Sequence, residues 1–120
     1  MEQVSRIGGG SIVMYVKIAG VEETDLGEGV TRKILASGGT MMTVQFAFET
    51  GAVGTPHTHP HEQVGYVLQG RFELTLGNEK TTLEMGDTYY VPSNTVHGVV
   101  ALEDGDLLDV FTPQRQDFLE

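Results

Sequence analysis

Apolar and polar residues alternate with a period of two along much of the chain, and that period predicts strands rather than helices. Met41 to Phe48 is the clearest case, with Met42, Val44, Phe46 and Phe48 on one face, the core side of a wall. Val30 to Ala36 precedes it across Ser37-Gly38-Gly39-Thr40, a hairpin signal. Farther on, Phe72, Leu74 and Leu76 alternate with Arg71, Glu73 and Thr75, as in a half-buried strand. Strands are also expected over Ser11 to Ile18, Val64 to Leu68, Thr81 to Met85, Thr88 to Val91, Val96 to Leu102 and Leu107 to Phe111, with Gly-, Pro-, Asn- and Asp-rich turns between them. Gly20 to Gly29, with Glu22, Glu23, Asp25 and Glu28, reads as a solvated acidic loop. Residues 1–10, ending in Gly8-Gly9-Gly10, read as a flexible lead, and Gln114 to Leu119 as at most one helical turn. Eight to ten short strands in one domain over residues 11–120 predict an all-β fold, an antiparallel sandwich or barrel of jelly-roll type.

Composition narrows the chemistry. A chain of 120 residues forms one domain that buries about two thirds of its unfolded surface. It has no cysteine, which leaves histidine, carboxylate and amide as candidate metal ligands. A formal charge of −10 argues against nucleic acid and anionic membranes as partners, since both are bound through surplus Lys and Arg. The first residues lack the pattern of a secretory signal and no segment is long enough to span a bilayer, so a soluble cytoplasmic protein is expected.

Three of the four histidines, His57, His59 and His61, fall within five residues, behind Gly51, Gly54 and Pro56. In an extended segment His57 and His59 project to the same side with Cα atoms about 6–7 Å apart, near enough to converge on one ion. Isolated histidines usually sit on surfaces or cap turns, but a pair at alternate positions with a distant partner, His97, points to a metal site that the fold must complete. Pro60 turns the chain before His61, which suits His61 to the rim of such a site.

These residues carry a resemblance to the cupins. The family's first motif is glycine, five residues, His-x-His, three or four residues, glutamate, six residues, glycine; Gly51, His57, His59 and Gly70 match it, with Gln63 at the glutamate position. The second is glycine, five residues, proline, one residue, glycine, two residues, histidine; Gly86, Pro92 and His97 match it, with Asn94 at the second glycine, and Ala101 stands where an asparagine often closes the motif. The resemblance implies a jelly-roll (cupin) β-barrel holding one divalent transition metal on His57, His59, Gln63 and His97. Ni, Mn, Fe, Co and Zn all accept such ligands. From Gly29 to Leu119 the chain is further similar to the pectin-degradation cupins, bacterial enzymes that linearise 4,5-unsaturated uronates, through His-Pro-His-Glu-Gln, Tyr-Val-Leu-Gln-Gly and the tail from Asp109 to Leu119. That similarity implies that Asp109, Phe111 and Arg115 line the substrate pocket.

Such a site suits a small anionic substrate, a sugar acid. Three neutral imidazoles and an amide leave a divalent ion's charge uncompensated, where a glutamate ligand would halve it. Arg115 can fork onto a carboxylate, and Asp109 can shuttle the proton that ring opening and tautomerisation require. Two other classes stay open at this point: an iron dioxygenase, and a non-catalytic sugar-binding cupin. An extra N-terminal strand suggests a homodimer formed by strand addition.

Overall fold

The computed structural model describes residues 4–6 and 12–119. Twelve strands occur among them: β1 (Val4–Arg6), β2 (Val13–Val16), β3 (Thr24–Gly27), β4 (Val30–Gly38), β5 (Met41–Phe48), β6 (Val53–His57), β7 (Glu62–Gln69), β8 (Arg71–Leu76), β9 (Glu79–Glu84), β10 (Thr88–Val91), β11 (His97–Ala101) and β12 (Gly105–Thr112). One helical turn, α1 (Gln116–Leu119), follows a cis Thr112–Pro113 peptide. All strand pairs are antiparallel. One sheet runs β1-β2-β4-β5-β12-β7-β10 with β3 attached to β4, and the other runs β6-β11-β8-β9. This is the all-β antiparallel jelly roll expected from the alternation.

The stripes read from the sequence form the inner faces. Met42, Val44 and Phe48 on β5 are buried, as are Phe72 and Leu74 on β8. Val30, Phe48, Val67, Phe72, Ala101 and Leu107 pack into one cluster, with the Phe48 and Phe72 rings edge to face at 5.3 Å. Met42, Val44 and Phe111 form a second, against which Ile34, Phe46 and Phe118 pack. Truncating a phenylalanine buried this way costs about 3–5 kcal/mol. Apolar packing therefore holds the barrel, and the same inner faces, through Val30, Phe46, Phe48, Leu107 and Phe111, line part of its lumen.

Three expectations are corrected. Part of the acidic loop, Thr24–Gly27, is strand: β3 pairs with β4 through Thr24↔Arg32 and Asp25↔Thr31, and the chain turns at Glu28, whose φ is 54°. All four β3 residues are exposed, so no apolar stripe announces it. Within the expected flexible lead, Val4–Arg6 pairs with β2, and the rest of the lead lies outside the described residues. Finally, β9 begins at Glu79, because the hairpin turn needs only Gly77 and Asn78 between Leu76 and Glu79.

Candidate metal centre and lumen

The histidines come together because β11 lies between β6 and β8, with His97 in register with His57 on one side and Leu76 on the other. Gly98 permits this approach: a Cβ there would stand 2.8 Å from the Gly54 carbonyl oxygen and 2.9 Å from the Pro56 nitrogen. Asn94 takes the second motif glycine's place at φ 59°, a left-handed conformation that asparagine tolerates better than most residues. His57 and His59 do not share one strand, as the spacing suggested. His57 ends β6 and is exposed, whereas His59 is buried in the connection to β7, which bends at Pro60 and His61.

Each of the three rings is oriented by a carbonyl of its own loop. His57 Nδ1 lies 2.9 Å from Thr55 O, His59 Nδ1 3.0 Å from His61 O, and His97 Nδ1 2.9 Å from Thr95 O. A carbonyl only accepts, so each Nδ1 carries the proton and each Nε2 keeps its lone pair. That is the tautomer a metal-ligating histidine adopts when a carbonyl holds its other nitrogen. Ring centroids are 4.4 Å apart for His57 and His97, 4.7 Å for His59 and His97, and 5.4 Å for His57 and His59. One ligand nitrogen from each lies within 4.8 Å of the other two, so the group can hold a metal ion. Burial, and then the Arg115 charge, lower the His59 pKa, while burial pushes that of His97 down to about 4. Both rings are therefore neutral at physiological pH, the form that binds metal.

His61 stands outside this group, its ring 5.5 Å from that of His59. Its carbonyl holds the His59 ring, and its own Nδ1 is buried without a partner. Gln63 is buried on β7, and its Oε1 faces His59 Nε2 at 3.1 Å. With the proton of His59 on Nδ1, this contact sets two lone pairs against each other, an arrangement that a shared cation resolves. The Gln63 amide also hydrogen-bonds the Asp109 carboxylate. A carboxylate only accepts, so the amide nitrogen turns to Asp109 and the oxygen to the histidines. The donor set, three imidazole nitrogens and one amide oxygen, fits a divalent transition metal.

Asp109 lies on β12, between β5 and β7, and is 4% exposed. Burial pushes its carboxyl up to about 6, against the opposing pull of hydrogen bonds from Gln63 and Tyr89 and of the Arg115 charge. Tyr89 donates to Asp109 Oδ1 at 3.1 Å. Burial and the adjacent carboxylate raise the Tyr89 pKa well above 10, so it is a fixed donor. Tyr89 pairs with Gly65 across β10 and β7, and a Cβ at Gly65 would overlap the tyrosine ring. Sequence reading missed Tyr89; the signal was a glycine on the inner face of a strand, which marks a close approach by another group.

The described lumen is a cavity of about 380 Å³ lined in part by His57, Gln63, Tyr89, His97, Asp109 and Arg115. Phe111 is buried against His59, with ring centroids 5.7 Å apart, and its ring lies 5.0 Å from the Arg115 guanidinium carbon. Arg115 reaches this cavity while pairing with Asp117, Nε to Oδ1 at 3.1 Å and Nη2 to Oδ2 at 2.9 Å. Arg32 on β4 also lines the lumen and was not singled out from the sequence. Its place in the inward stripe between Val30 and Ile34 was the available signal. Among the described residues, no helix is long and apolar enough to cross a membrane.

Comparison with known proteins agrees with this architecture. The Cupin domain family (Cupin_2) matches residues 44–111. The pectin degradation protein KdgF of Dickeya dadantii is 46% identical over 97 residues, covering 79% of this chain and 88% of that protein. Among solved structures, KdgF from Halomonas sp. superposes with a TM-score of 0.82 at 44% identity, over 88% of this chain and 99% of that one. An RmlC-like cupin from Shewanella frigidimarina gives a TM-score of 0.86 at 34% identity, over 97% and 98% of the two chains.

Proposed function

The chain belongs to the cupin family, and we propose that it is a metal-dependent member acting on 4,5-unsaturated uronate monosaccharides from pectin or alginate breakdown, opening their ring to the linear keto sugar acid. The observation that carries this reading is the buried Asp109 carboxyl set beside three convergent histidines in a lumen that Arg115 also reaches. A relative named as a pectin degradation protein, KdgF, at 46% identity supports the substrate class, and a solved KdgF at 44% identity shares the fold.

In this reading His57, His59, Gln63 and His97 hold one divalent transition metal. When bound, the ion supplies positive charge that attracts and polarises the oxygens of a sugar acid. The other steps belong to side chains. Arg115 turns the part of its guanidinium not engaged by Asp117 toward the substrate carboxylate, and Phe111 packs beside it. Ring opening is an isomerisation: the anomeric hydroxyl loses a proton, the bond from C1 to the ring oxygen breaks, and C4 gains a proton as the enol becomes a ketone. Asp109 takes the first proton and delivers the second. A carboxyl titrating at about 6 is suited to both halves of that exchange near neutral pH. Tyr89, donating to Oδ1, holds the carboxyl so that its other oxygen serves the transfer. The same proposal includes a homodimer through the outer strand β1; a sedimentation profile of a pure monomer refutes that part.

The test is incubation of metal-loaded protein with uronates freshly released by a pectin lyase, following loss of the enol-ether ultraviolet absorbance. Asp109→Asn keeps the shape and removes the base, so turnover should fall by roughly 10²-fold at unchanged metal content. Absorbance that decays no faster than without protein overturns the reading.

A further inference from the structure

Two arginines face one ring in the lumen, and among the described residues one of them, Arg115, has a carboxylate partner. The Arg115 guanidinium carbon lies 4.2 Å from the Phe118 ring centroid, and that of Arg32 lies 4.6 Å from it. Arg115 gives two of its donors to Asp117. Arg32 forms no ion pair among the described residues, and its Nε is shielded from solvent without a hydrogen-bond partner. It occupies an inward position of β4, opposite Phe46 on β5, where the alternation would place an apolar side chain.

A donor held away from water without a partner is destabilising, and the Nε–H of half-buried Arg32 is such a donor. Stacking on the Phe118 ring gives a reason for a cation at this position but none for the idle Nε–H. An anion entering the lumen gives one, because the Nε–H and one Nη–H of arginine form a planar pair that matches the two oxygens of a carboxylate. The cavity that Arg32 lines is the one that contains His57, His97 and Asp109.

We propose that Arg32 is a specificity-determining contact for the substrate carboxylate, supplying the donors that Arg115 spends on Asp117 and so selecting sugar acids over neutral sugars. The inference rests on the uronate reading of the same lumen and extends it to a residue outside the recognised motifs. Lysine at this position keeps the charge but loses the planar pair of donors.

Calorimetric titration of the metal-loaded protein with D-galacturonate and, separately, D-galactose tests it, with metal content and thermal midpoint measured on every variant. The parent should bind galacturonate more tightly than galactose. Arg32→Gln should weaken galacturonate binding by about tenfold or more, leave galactose unchanged, and keep or raise the midpoint; Arg32→Lys should recover part of the loss. Retained galacturonate affinity in Arg32→Gln overturns the role of Arg32 and leaves the uronate reading standing. Equal loss of both sugars, or a lowered midpoint in both variants, shows a structural role and overturns the inference. A parent that binds no galacturonate overturns the uronate reading and the inference together.

Discussion

Asp109 gives the site a pH signature that can be read without substrate. In the metal-free protein its carboxyl titrates at about 6 when folded, against an ordinary value of 3.8, chiefly because burial disfavours the charged form. The folded state therefore holds this proton more tightly than the unfolded chain, and the stability it contributes is present at low pH and lost as pH rises from 3.8 through 6. At about 1.4 kcal/mol per pH unit the loss amounts to about 3 kcal/mol. Asp109→Asn removes it, since an amide does not ionise. His97, depressed to about 4, works in the opposite sense, losing stability as pH falls through that range. It is present in both proteins and cancels from their difference.

Urea unfolding of the two metal-stripped proteins at intervals from pH 4 to pH 7.5 measures this difference directly. The free-energy gap should move by about 2–3 kcal/mol in favour of Asp109→Asn across the series, with the change complete by pH 7. Adding divalent metal should shrink the movement, because nearby positive charge favours the ionised carboxylate. A gap that stays constant to within about 0.5 kcal/mol would show that the folded carboxyl titrates as it does in the open chain, and the argument from burial would fail.

Three further outcomes follow from the same geometry. His97→Ala should lose bound metal by elemental analysis and yet keep its strand signature by circular dichroism, because the core clusters are apolar; full occupancy would refute the ligand set. Gln63→Glu should retain metal but bind galacturonate more weakly, since it lowers the charge of the site and replaces a donor to Asp109 with a second carboxylate; parent-like affinity would refute this. Gly65→Ala should displace the Tyr89 ring, costing about 1–3 kcal/mol in thermal unfolding and reducing turnover at constant metal content; a parent-like midpoint and rate would show that the contact can relax freely.

What was legible in the sequence was whatever local periodicity could carry. The stripe from Met42 to Phe48 announced β5 because burial on one side of a sheet forces alternation, and the motif spacing announced the three histidines. Strand β3 was illegible for the converse reason: both its faces are wet, so its pairing with β4 leaves no hydrophobic trace. Tyr89 depends on strand register, since only the pairing of β10 with β7 brings it over Gly65 and onto Asp109, and register is a tertiary fact. The alternation that sets His57 and His59 on one side of an extended segment stops at His57. Pro60 and the carbonyl of His61 instead fold that segment inward as a loop. Arg32 was visible as a charge in an apolar stripe, but nothing local distinguishes a lumen arginine from one whose stem lies along the surface.

The glutamine at position 63 touches both His59 and the buried Asp109 carboxyl. Net charge gives one reason for an amide where the motif has glutamate, because a neutral ligand leaves more of the ion's charge for an anion. The hydrogen bonds give another. In the proposed site Gln63 must face two ways at once, offering an oxygen toward the histidines and a donor toward Asp109. A glutamate can do the first only. In place of the donor it would set a second carboxylate against a buried one, and two carboxylates so placed cannot both ionise easily. Exchange at this one position would therefore shift the proton affinity of Asp109 as well as the charge of the metal centre. In the proposed site the amide thus serves Asp109 as much as the metal, and Tyr89, packed over Gly65, adds a second donor to this carboxyl.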